Sequence, residues 1–241
     1  MSSLAKNYNR RKISFRSGKG SFLYATNGKK YLDFVQGIAV NSLGHANPYL
    51  TKALNKQANK VWHVSNAFII PEGEKLAKRL TEKTFADYVI FQNSGTECVE
   101  AAIKVVRRYF YSIGKPFKNR IITIRNSFHG RTLAAIFASG SKKMILGFGP
   151  KVEGFDHFEF GDLKSLKKLI TKKTAGIMIE DCLGEGGCKL IPDWCLRYIR
   201  KICYEKKILL VIDSIQSGVG RSGKFFAFEY AKIKPDLAII A

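Results

Sequence analysis

The residue best placed to do chemistry in this sequence is Asp213, which closes the apolar run Leu209-Leu210-Val211-Ile212 and opens Ser214-Ile215-Gln216-Ser217-Gly218. An ionised carboxylate at the end of a buried strand is costly unless it is paired. A protonated pyridine nitrogen in a bound ring would supply the partner, and the pairing would keep that ring an electron sink. A magnesium-binding aspartate of the Walker B kind and a helix cap are the competing readings. The sequence has no G-x-x-x-x-G-K-[ST], which argues against the first.

Three further clusters carry residue types of the same use. In Gln92-Asn93-Ser94-Gly95-Thr96-Glu97 a strand end gives way to a helix start. Gly95 permits a tight turn there, and free N–H groups beside the hydroxyls of Ser94 and Thr96 could hold a phosphate. Ser94 and Glu97 also have the spacing of a capping box, which needs no ligand. In Ser127-Phe128-His129-Gly130-Arg131 the phenyl ring could stack on a planar ligand and the guanidinium could clamp a carboxylate, or Phe128 could be core and Arg131 surface. Ile179-Glu180-Asp181-Cys182-Leu183-Gly184-Glu185-Gly186-Gly187 is a glycine-rich acidic loop able to orient or gate a cationic group, with a plain turn as the alternative.

The elements that must position these clusters read as α/β. Short apolar runs at 88–92, 121–125, 176–180, 208–213 and 237–240 alternate with amphipathic segments such as 97–112 and 193–206. Buried parallel strands joined by crossover helices follow, and in such sheets ligands lie beyond the C-terminal strand ends, where the clusters fall. Before residue 72 the pattern differs: Asn27-Gly28 between two aromatic runs predicts a hairpin from Ser21-Phe22-Leu23-Tyr24-Ala25 to Lys30-Tyr31-Leu32-Asp33-Phe34. The expected division is an N-terminal segment, 1–71, and a larger ligand-binding domain, 72–241.

Composition narrows the class. The 241 residues are 46% hydrophobic and 25% charged, with no apolar stretch of membrane-spanning length and no signal-like N-terminus, so a cytoplasmic globular protein is expected. Five cysteines without a C-x-x-C pair predict reduced, mostly buried thiols and no metal. The net charge of +22 is spread over helical surface spacings, as in Lys164, Lys167, Lys168, Lys172 and Lys173, so no nucleic-acid partner is expected.

Taken together, Asn93-Ser94-Gly95-Thr96-Glu97, Phe128-His129-Gly130-Arg131-Thr132-Leu133, Gly184-Glu185-Gly186-Gly187 and Gly218-Val219-Gly220-Arg221 resemble the class III, fold-type I aminotransferases, as do residues 31–45 and 147–155. The resemblance runs the length of the chain. It implies pyridoxal 5'-phosphate (PLP) as cofactor, with Gly95 and Thr96 on its phosphate, Phe128 on the ring, Asp213 on the pyridine nitrogen, Ile215 on the opposite face and Gln216 near the phenolic oxygen. It implies Arg131 for the substrate α-carboxylate and Glu185 as the gate of an arginine. It further implies transfer of the δ-amino group of N2-acetylornithine to 2-oxoglutarate, with succinyldiaminopimelate as the alternative donor, in a homodimer. The sequence departs from the family pattern at two places, reading Glu180-Asp181-Cys182-Leu183 for Glu-Pro-Val-Gln and Asp213-Ser214-Ile215-Gln216 for Asp-Glu-Val-Gln. By the same resemblance Ala241 stands just before the position of the Schiff-base lysine, so the sequence read alone predicts no transamination, or a basic remnant protein of another use.

Overall fold

The computed structural model describes residues 3–241. The chain separates into two compact units, Met1–Pro71 and Glu72–Ala241.

In the first unit β1 (Phe15–Lys19), β2 (Phe22–Ala25) and β3 (Lys30–Leu32) form an antiparallel sheet in that order. The expected hairpin is present: Phe22 pairs with Leu32 and Tyr24 with Lys30 across a turn in which Gly28 takes φ +82°. A side chain at Gly28 would be strained there, and Asn27 Oδ1 accepts the Lys29 N–H at 3.1 Å to close the turn. Two helices follow, the single irregular turn α1 (Gln36–Ala39) and α2 (Pro48–Ala58). The second is capped by Asn47, whose Oδ1 accepts the N–H groups of Tyr49 and Leu50, with Pro48 in the first turn, where its missing N–H costs nothing.

The second unit runs α3 (Pro71–Lys83), α4 (Gly95–Ser112), β4 (Arg120–Ile124), α5 (Leu133–Ser139), α6 (Lys142–Ile145), β5 (Phe155–Phe158), α7 (Leu163–Leu169) and β6 (Thr174–Glu180). It continues with the small hairpin β7 (Cys182–Leu183) and β8 (Lys189–Leu190), then α8 (Asp193–Lys206), β9 (Leu209–Asp213) and β10 (Leu237–Ile239). Five strands make a parallel sheet in the order β10-β9-β6-β4-β5.

Alternate residues on each strand face opposite sides, which divides the core in two. Ile122, Ile124, Ile177, Ile179, Leu210 and Ile212 pack with α7 and α8 on one side. Ile121, Met178, Val211 and Ile239 pack with α4 and α5 on the other. The helices meet these faces through residues three and four apart: Val99, Ala102, Ile103, Val106 and Phe110 on α4, and Cys195, Leu196, Ile199, Ile202 and Cys203 on α8. At about 25 cal/mol per Å² of apolar surface, each fully buried isoleucine or leucine contributes roughly 1.5–3 kcal/mol, so β6, buried at every position, anchors the sheet.

Two expectations need correction. Residues 88–92 are not a strand: Tyr88 is 91% and Ile90 62% exposed, and no hydrogen-bonded partner lies beside them among the described residues. They run instead along one side of an apolar cleft of about 690 Å³ whose other side is β10, the edge strand. Conversely β5 was not foreseen, because its sequence Phe-Asp-His-Phe hides two buried phenylalanines around a polar pair. Asp156 of that pair is held by Arg120 of the neighbouring strand through two bonds of 2.7 Å, which satisfies its charge at the sheet edge. The cysteines are also less uniformly buried than expected: Cys195 and Cys203 are buried, Cys98 and Cys182 partly so, and Cys188 is exposed.

Candidate active site

Glu180 and Asp213 are the last residues of β6 and β9, and the parallel register sets them side by side. Both are 5% exposed. Two carboxylates so placed need compensation, and it comes from the loop beyond β4. His129, itself buried, sets Nδ1 2.8 Å from Asp213 Oδ2, and the Phe128 N–H donates to Glu180 Oε2 at 2.9 Å. The remaining Asp213 oxygen accepts the Ile215 N–H at 3.2 Å, which shapes the turn after β9. Burial pushes the Glu180 carboxyl up to about 7, against the opposing pull of His129 and the Phe128 N–H. His129 and Glu180 lie within the clusters singled out by sequence, which gives neither of them a role; the signal for each is a titratable side chain at or just beyond a strand end.

The helix start next to this cluster supplies positive potential. Ser94 is the N-cap of α4, its Oγ accepting the Glu97 N–H at 3.3 Å, while the Glu97 carboxylate accepts the Asn93 N–H at 2.8 Å. Those hydrogen bonds, the Asn93 side chain's foremost, hold the Glu97 carboxyl below its usual range. Ser94 therefore caps α4 as one half of a capping box, but Glu97 reaches back to Asn93 rather than to the Ser94 N–H, and the N–H groups of Gly95 and Thr96 are left without a partner among the described residues. An eighteen-residue helix that opens with two unspent N–H groups presents a positive end to an anion.

Close approaches tie the start of α4, the loop after β4 and the strand ends together. A Cβ on Gly95 would stand 2.8 Å from Ile215 Cδ1, so Ile215 lies directly on the helix start. A Cβ on Gly130 would stand 2.1 Å from Thr96 Oγ1, and Gly130 has φ +112°, so only glycine fits between Phe128 and the start of α4. Thr96 Oγ1 is 3.5 Å from Thr132 Oγ1 at the start of α5, and Thr132 donates to Glu100 on α4. A Cβ on Gly184 would stand 2.1 Å from Gln216 Oε1, which places Gln216 on the glycine loop.

The fold thus brings Gly95, Thr96, Phe128, Asp213, Ile215 and Gln216 around one end of the sheet. Arg131 is exposed at the same loop, with its guanidinium carbon 5.9 Å from the centre of the Phe128 ring. Glu185 is exposed on the glycine loop and projects from the rim rather than from the buried cluster.

The description "Aminotransferase class-III" fits residues 3–241. The chain belongs to the class-III aminotransferase family. Acetylornithine aminotransferase of Agrobacterium fabrum is 54% identical over 229 residues, 95% of this chain and 57% of the relative. That of Rhodobacter capsulatus is 49% identical over 241 residues, 100% of this chain and 61% of the relative. Among solved structures, the ornithine aminotransferase of Toxoplasma gondii ME49 superposes with a TM-score of 0.93 at 28% identity, over 99% of this chain and 57% of the other. The N-acetylornithine aminotransferase of Stenotrophomonas maltophilia does so with a TM-score of 0.83 at 34% identity, over 97% of this chain and 59% of the other. This class-III chain therefore spans about three fifths of the length of the relatives it matches. The five-stranded parallel sheet with helices on both faces agrees with the α/β class read from the sequence.

Proposed function

We propose that this chain forms the PLP-holding part of an aminotransferase that moves the δ-amino group of N2-acetylornithine to 2-oxoglutarate. The observation that carries the reading is the pairing of a buried Asp213, held by His129, with an uncommitted helix start at Gly95 and Thr96 across the Ile215 contact. A flat, cationic, phosphorylated ring satisfies both at once, and the residues present fit it. The two N–H groups take the phosphate, Asp213 takes the protonated pyridine nitrogen, and Phe128 and Ile215, both half-buried, take the two faces. When bound, PLP supplies the electron sink for amino-group transfer.

The chain's own residues do the rest. Asp213 would pair with the protonated ring nitrogen, its carboxylate held in place by His129 Nδ1 at 2.8 Å. Phe128 and Ile215 exclude water from the ring faces. Gln216 offers its side chain to the ring oxygen. Arg131 presents a guanidinium to a substrate carboxylate, and Glu185 stands where it can pair with a cationic group when no carboxylate is bound. Acetylornithine rather than succinyldiaminopimelate is the preferred donor because the similar proteins of Agrobacterium fabrum and Rhodobacter capsulatus carry that name. A cytoplasmic role in arginine biosynthesis accords with that donor. Exposed Phe34, Trp62 and Ile69 on the first unit support association of two copies.

Titration of the chain with PLP, followed by induced circular dichroism, tests the reading. Saturable binding that Asp213→Ala weakens is the expected result. Absence of binding, or binding indifferent to Asp213 and Thr96, would overturn it.

A further inference from the structure

A third carboxylate is buried beside Glu180 and Asp213 but has no place in the site just described. Asp181, the residue after β6, is 2% exposed. Its oxygens turn to the loop after β9: Oδ2 accepts the Ser214 hydroxyl at 2.9 Å, and Oδ1 accepts a short hydrogen bond from the Ser217 hydroxyl. Both serines are themselves buried, at 0% and 8% exposure. A buried carboxylate is tolerated only where its oxygens are used, and hydroxyl donors to such an oxygen make strong bonds. Burial raises the Asp181 carboxyl above its usual range, while the Ser217 and Ser214 hydroxyls pull it back.

The two serines bracket Ile215 and Gln216. The turn between them is closed by the Gly218 N–H on the Ser214 carbonyl at 2.8 Å, and the Ser214 N–H is held by the Ile239 carbonyl of β10 at 2.9 Å. Asp181 therefore grips the turn at both ends, and the two side chains between the grips reach different parts of the site: Ile215 lies on Gly95 at the start of α4, Gln216 on Gly184 at the glycine loop. A hydrophobic residue at 181 would fill the space but would leave both hydroxyls unbonded.

We propose that Asp181 is a positioning residue: through Ser214 and Ser217 it fixes the turn so that Ile215 seats against the ring face and Gln216 braces the loop carrying Glu185. This rests on the cofactor reading above for its functional consequence, and on the bonds alone for its mechanical one.

The experiment takes the 241-residue chain and its variants Asp181→Ala, Asp181→Asn, Ser217→Ala and the Ser214→Ala/Ser217→Ala pair through amide hydrogen exchange and PLP titration. Loss of both grips is expected to speed exchange at residues 214–218 by about tenfold or more, with β4 unchanged; Ser217→Ala, which loses one grip, falls between, and Asp181→Asn, whose amide oxygen and N–H can still bond the two hydroxyls, stays nearest the parent. The same variants are expected to bind PLP about tenfold more weakly, in the same order, with a reduced induced dichroism as the ring loses its fixed wall. Parent-like exchange at 214–218 in Asp181→Ala overturns the clasp. Faster exchange with unchanged PLP affinity and dichroism overturns the positioning role. A parent chain that ignores PLP overturns the cofactor reading, while the exchange arm still decides the clasp. Should Asp181→Ala not fold, Ser217→Ala decides by the same two readouts.

Discussion

The Ser214 hydroxyl donates to Asp181 across 2.9 Å, from the turn after β9 to the residue that follows β6. Both groups are buried, so alanine at either position alone leaves the other short of a partner, at about 1–3 kcal/mol.

Changing Asp213 to Asn keeps the shape of the site and removes the charge. PLP affinity is expected to fall by roughly a hundredfold, as when one partner of a buried charge pair is neutralised. The Glu180 carboxyl should drop toward its ordinary value at the same time, because Asp213 is one of the groups pushing it up. Equilibrium titration reads the first effect, and the carboxyl stretch of Glu180 in infrared spectra against pH reads the second.

Glu180 also gives stability a pH dependence. Its carboxyl titrates near 7 in the folded chain against 4.5 when exposed, so the folded state binds the extra proton between those values. Stability should therefore fall as pH rises from 4.5 toward 7 and then level, by at most about 3 kcal/mol from this group. Asp181, also raised, adds in the same direction, and His157, lowered by burial, opposes it below its usual value. Denaturant unfolding of the parent and of Glu180→Gln across that range isolates the contribution, because the glutamine variant should lose Glu180's share of the downward slope.

Two glycines should separate folding from binding. Alanine at Gly95 adds helix propensity at the start of α4 and meets the Ile215 side chain, at Cδ1 first and then at Cγ2 and Cγ1, so that side chain must turn aside. The variant should fold at parental stability and bind PLP poorly, since the displaced Ile215 enters the ring space. Alanine at Gly130 meets Thr96 and a φ of +112°, and should lose about 1–3 kcal/mol of stability as well. Thermal melts beside PLP titrations distinguish the two.

Thiol alkylation should follow burial. Cys188 is exposed and should react first, while Cys203, buried and pushed up to about 12, should resist until the chain unfolds. Mass spectrometry of a timed alkylation gives the order, and early modification of Cys203 would contradict the core assigned to α8.

Much of this architecture was legible beforehand, and the reason is local. The apolar spacing of α8 marked its bounds, Asn27-Gly28 marked the hairpin, and four of the five sheet strands were continuous apolar runs. What escaped depends on distant partners. The exposed run at 88–92 looks like a strand until its missing ladder is known, and β5 looks like a loop until Arg120 neutralises Asp156. In the site, the motif residues were marked by glycine and charge at strand ends. His129 on Asp213 and Asp181 on Ser214 join positions 84 and 33 residues apart, which spacing alone does not reveal.

The register that sets Glu180 beside Asp213 gives the site a fixed ruler. Neighbouring strands stand about 4.8 Å apart in any such sheet, so the two carboxylates inherit a distance that surface mutation scarcely alters. Arg131 and Glu185, exposed on loops, inherit no such constraint. The exposed rim can therefore drift in sequence and shape, while the buried carboxylates beneath stay tied to the spacing of the strands.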